Sequence, residues 1–169
     1  QRYEVASLLL AGLATPLVIS VHSVVSLDFS IGNTPGWHST IFPPYFVAGA
    51  LFSGFAMALT ISIPLRAVFG LKDFITARHL DNIAKVMLVC GLLVAYSYVM
   101  EIFMAFYSGD PFETYMVLNR MKGPYAPVYW TVVLCNVVVP QAMWLKRVRL
   151  STLTLFAISI VVNVGMWLE

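Results

Sequence analysis

The sequence predicts an all-α membrane protein, a polytopic transmembrane helical bundle with about five spans. Three observations predict it. Of the 169 residues 60% are hydrophobic and 11% charged, against roughly 25% charged in soluble domains, and mean hydropathy is +0.84. Apolar windows of about 20 residues, the length that crosses a bilayer, run over 5–27, 43–66, 83–107, 125–145 and 150–168. These windows lack the period-two alternation of barrel strands, and backbone in hydrocarbon must satisfy its own hydrogen bonds, which leaves helices. The lipid bilayer is therefore the first partner. The formal charge of +2 gives no reason to expect a nucleic-acid partner. Residues 1–169 form a single transmembrane region. "GMWLE" ends the chain inside an apolar run and no Met opens it, so a piece of a longer polypeptide is expected.

The first span opens after Arg2, contains Pro16 and leads into "DFSIGNTPGWHSTIF", a loop without Lys or Arg. Gly32, Pro35 and Gly36 favour an early end to its helix. The second span opens on Pro43–Pro44, which is cheap in a first turn. Its Ala50, Gly54 and Ala58 recur every four residues, a spacing that suits close helix packing. Then "GLKDFITARHLDN" alternates apolar and charged residues like a short amphipathic surface helix. The third span carries Glu101, and the fourth carries Pro140, which with Pro16 should kink its helix. "KRVRLS" turns the chain into the fifth.

Eight of the ten basic residues, Arg2, Arg66, Lys72, Arg78, Lys85, Lys146, Arg147 and Arg149, fall on one side of this alternation. By the positive-inside rule that side is cytoplasmic, and the 28–42 and 108–124 connections face outward.

Ionisable groups at membrane depth are costly and are functional candidates by default. His22 lies in the first span and Asp28 at its mouth; Glu101, Asn136 and Asn163 lie in the outer halves of the third, fourth and fifth. Helical spacing joins Thr15, His22 and Ser26 on one face, Ser97 and Glu101 on another, and Thr152, Ser159 and Asn163 on a third. His22 and Asp28 are six residues apart, about 240° around a continuous helix, so they converge only if that helix ends or bends between them. A His, carboxylates, amides and the tyrosines Tyr45, Tyr96 and Tyr98 near one surface suit a quinol, whose hydroxyls must be hydrogen-bonded and then lose protons as electrons leave. A haem-carrying bundle needs axial ligands inside its helices, commonly paired His residues, and only His22 is so placed. Cys90 and Cys135 lack any CxxC or Cys/His spacing. No haem, iron–sulfur cluster or other metal is expected on this chain.

"SVHSVVSLDF", "PGWHSTIFPPYFVAGALFSGFAMAL", "RHLDNIAKVML" and "VVNVGMWLE" resemble NrfD/PsrC-type membrane subunits through nearly the whole chain, in particular the quinol-oxidising membrane subunit of bacterial alternative complex III. The resemblance implies about ten membrane helices in two four-helix bundles plus peripheral helices, of which this piece is the second bundle and a neighbouring helix. It implies a bacterial inner-membrane protein that oxidises menaquinol or ubiquinol near the periplasmic surface. Electrons would pass to a periplasmic iron–sulfur subunit and then to haem c on a multihaem cytochrome c subunit, beside a paralogous membrane subunit. Asp28 and His22 are the expected catalytic pair, with Glu169 joining them in quinol binding. Glu101, Asn163, Asn136, Arg78, His79, Asp81 and Lys85 form the expected proton path. Three other readings compete: a proton-translocating bundle without its own redox site, the paralogous non-quinol-binding membrane subunit of the same complex, and a structural anchor whose polar stripes only register helices.

Overall fold

Helices make up most of the chain in the computed structural model, which describes residues 2–34 and 36–169; Pro35, a loop breaker in the sequence reading, lies outside them. The order is α1 (Arg2–Ser30), α2 (Phe42–Val68), α3 (Ala77–Tyr107), α4 (Pro111–Lys122), α5 (Ala126–Val133), a π-helical turn (Leu134–Val138), a 3-10 turn (Val139–Trp144), α6 (Lys146–Leu150) and α7 (Thr152–Leu168). Among the described residues there is no strand. Four helical segments are long and apolar enough to cross a membrane: α1, α2, α3 and the continuous run Ala126–Trp144. With 17 residues, α7 rises about 26 Å, slightly less than the roughly 30 Å of hydrocarbon.

α2 is the central post, packed against α1, α3 and α7. Its inward stripe of Phe52, Ala56 and Leu59 meets Ala84, Met87 and Val94 of α3 and Leu155 and Val162 of α7, all fully buried. Gly91 sets the α2–α3 approach, because a Cβ there would run into the Phe52 ring. The small residues that pack are Ala48, Gly49 and Ala56. Gly54 is exposed with open space where a Cβ would sit, so the Ala50–Gly54–Ala58 stripe is not the packed face.

Three other local expectations change. The charged stretch before the third span is no separate surface helix: Gly70, at φ +67°, turns the chain, and Thr76 starts α3 with its N–H donating to His79 Nδ1 at 3.3 Å. Residues 77–82 are thus the first turns of α3. The helix also continues unbroken past Pro16 and through Ser30. His22 and Asp28 therefore stay on different faces. Pro140 does act on its helix, since it lacks an N–H and its ring crowds the carbonyl four residues back, that of Asn136. There the α pattern gives way to the π turn and then the 3-10 turn.

Candidate functional site

At the base-poor end of the bundle a cavity of about 430 Å³ opens between the start of α2, the upper part of α3, α4, α5 and the end of α7. Aromatic side chains make its walls. Tyr45 lies 5.9 Å from Tyr98 and 6.1 Å from Phe42, ring centroid to centroid, and Phe42 lies 6.0 Å from Phe46. Trp37 and Phe29 meet edge to face at 5.3 Å. Tyr125, just before α5, and Tyr129 within it close the far side.

Two polar stations face this space. At the first, Arg120 Nη1 donates to Glu101 Oε1 at 2.9 Å. The arginine comes from α4, a short helix whose ends are chemically matched. Asp110 caps it by accepting from the Phe112 N–H at 2.9 Å, Glu113 sits in its first turn, and Arg120 and Lys122 sit in its last, where the helix dipole favours each sign. Thr114 Oγ1 donates to the Ala105 carbonyl at 2.9 Å, and Glu113 Oε1 accepts from the Gly36 N–H at 3.2 Å. Gly36, at φ +86°, leaves room for the Met116 side chain that any Cβ would meet. These ties fix α4 across the cavity.

The second station is the floor. Asn136 Nδ2 donates to Tyr98 Oη at 3.3 Å and to Glu169 Oε2 at 3.2 Å. Asn136 is fully buried, and its Oδ1 has no partner among the described residues. It projects from the π turn against Gly165 of α7, where a Cβ would collide with the Asn136 amide and Cys135. The irregular turn and the glycine together let a buried amide tie Tyr98 and Glu169, both of which line the cavity, from behind.

A family model described as polysulphide reductase, NrfD matches residues 2–169. The chain belongs to the NrfD family. It is thus a membrane subunit of the class that serves quinol-linked electron-transfer complexes, whose members generally partner iron–sulfur subunits. No individual curated protein matches it.

The candidate residues of this NrfD-family chain separate into groups. Glu101 and Glu169 line the cavity, and Asn136 joins Glu169 to Tyr98. His22 is half-buried outside the lining, with Nδ1 bonded to the Val18 carbonyl at 2.8 Å and its ring 6.3 Å from Phe46. Asp28 is exposed and does not line the cavity, although its neighbour Phe29 does. Asn163 Nδ2 donates to Thr60 Oγ1, and Thr60 donates to Ser159 Oγ, both at 2.9 Å. Thr60 lies 18 residues along α2, roughly 27 Å from its start, so this ladder belongs to the base-rich half. The reason is that α7 reaches the level of Tyr98 and Asn136 at Glu169, and Asn163 is more than a turn lower.

At the base-rich end Asp81 accepts from Arg149 Nε at 2.8 Å and Lys85 Nζ at 2.6 Å. His79 caps α3, and Arg78 is exposed. Among the described residues no hydrogen bond joins Asp81, the Thr60–Ser159–Asn163 ladder and the cavity floor to one another. Tyr96 faces outward. Sequence reasoning missed Arg120, Tyr125 and Tyr129. The available signal for Arg120 was a lone Arg–Lys pair on the base-poor side, 19 residues after a membrane-depth glutamate.

Proposed function

We propose that this NrfD-family chain binds a quinol head group in the aromatic cavity and takes up its protons while electrons pass to a partner subunit. One observation carries the reading: an aromatic-walled space whose polar lining includes Glu101 with Arg120, and Tyr98 and Glu169, which the buried Asn136 joins from behind. At about 430 Å³ it falls within the roughly 300–1,000 Å³ of small-molecule sites. Aromatic walls suit a flat ring, and carboxylates suit hydroxyls that must deprotonate. Oxidation releases two electrons and two protons. Glu101 and Glu169 are the proposed proton acceptors, and Asp28, exposed beside Phe29, is the proposed exit to water.

The charge asymmetry supports assigning the cavity end to the periplasmic side of a bacterial inner membrane. The electron acceptor is then a periplasmic iron–sulfur subunit feeding a multihaem cytochrome c, as in alternative complex III, with menaquinol or ubiquinol as donor. Glu101→Gln in the intact complex should lower quinol-dependent reduction about a hundredfold with assembly unchanged. Normal turnover in that variant would move the site away from this cavity.

A further inference from the structure

Arg120 is not exhausted by its ion pair. A guanidinium carries five N–H donors, and the bond to Glu101 uses one; no other hydrogen bond engages this side chain among the described residues. The side chain is 42% exposed and lines the cavity, and its Glu101 partner is 28% exposed in the same space. Its helix is pinned at Gly36 and Ala105, so the charge stands there before any guest arrives.

We propose, resting on the quinol reading above, that Arg120 is a charge partner passed from Glu101 to the substrate. A hydroxyl donates to the free oxygen of Glu101 while its own oxygen accepts from a spare Arg120 N–H. The O–H bond then breaks, the proton bonds to the carboxylate, and the electron pair stays on the phenolic oxygen as quinolate. Arg120 faces one negative charge before the transfer and one after it. Neither an unpaired carboxylate nor an unpaired guanidinium is left at any stage of the transfer. Donors fixed in advance at the atom where charge develops accelerate the step rather than binding alone. Electrons leave afterwards to the one-electron acceptor of the iron–sulfur class already invoked. The site therefore selects ligands with an ionisable aromatic hydroxyl. A dimethoxy analogue of the same ring gains nothing from the arginine.

The test uses the intact membrane complex with a water-soluble short-chain quinol. Arg120→Gln should lower kcat about a hundredfold with KM changed less than about threefold, and Arg120→Lys should recover about tenfold of that loss by restoring a charge without the fork. Glu101→Gln combined with Arg120→Gln should be no slower than Glu101→Gln alone, because the two act in one step. Wild-type kcat in Arg120→Gln, or equal kcat in the Gln and Lys variants at matched assembly, overturns the proposal. Quinone-analogue binding to the wild-type complex separates the two readings. Binding that is lost on Tyr98→Leu keeps the cavity as the site even if the arginine proposal falls, and binding indifferent to that change removes both.

Discussion

α3 carries two carboxylates that each pair with an arginine, one near each end, and the two pairs have opposite surroundings. At the base-rich end Arg149 is 15% exposed. It spends Nε on Asp81 and Nη1 on the carbonyls of Met143, at 2.6 Å, and Trp144, at 3.0 Å. Those carbonyls lie at the end of the 3-10 turn, where helical acceptors need outside donors. This arginine is a clasp between α3, the turn and α6. Arg120 at the other end has one hydrogen-bond partner among the described residues and a hollow in front of it. The same two functional groups build a joint where the donors are consumed and a receptor where they are kept in reserve.

Substitutions that leave the clasp and the receptor distinguishable sharpen this contrast. Arg149→Met should cost the most, about 3 kcal/mol, because two carbonyls and a partly buried carboxylate oxygen lose a charged donor; it should show as a lower unfolding midpoint in detergent, with normal turnover in the surviving folded fraction. Gly165→Ala should follow at about 2 kcal/mol in the same assay. It drives a methyl into Asn136, so it should also slow quinol oxidation. Arg120→Gln should cost under about 1 kcal/mol of stability, since its pair is partly solvated, while losing most of kcat. A large fall in midpoint there would make Arg120 a second clasp. Lys85→Ala should be smallest, about 0.4 kcal/mol, because Asp81 keeps Arg149; a loss as large as that of Arg149→Met would break the division.

Much of the architecture was legible in composition. Apolar length gives the five helical segments, and Glu101 stands out as a charge where charge is costly. What was not legible depends on partners rather than on single residues. α4 reads as a loop because its mean polarity hides one buried face, represented by Val117. In sequence Arg120 is therefore only one of two bases in a polar connection, with nothing to mark it as the mate of Glu101. The depth of Asn163 was set from an assumed level of the chain's end, but Glu169 bonds Asn136 on the cavity floor. Asp28 and His22 drew attention as costly groups. Only three-dimensional packing shows Phe46 beside His22, and an unbroken α1 that keeps Asp28 on another face.

The π turn at Leu134–Val138 has a consequence for how the gene tolerates change. A π turn holds one residue more than the α turn it replaces. Each α-helical residue advances the helix by 100°. Loss of a single codon within 134–138 would let the regular pattern run through, rotating either Asn136 away from Tyr98 or the Met143 and Trp144 carbonyls away from Arg149. Conservative exchanges at Leu134 and Val138, which face outward, leave that phase intact. The outward positions of this segment should therefore accept many spellings at fixed length, and the segment almost none at a length shorter by one.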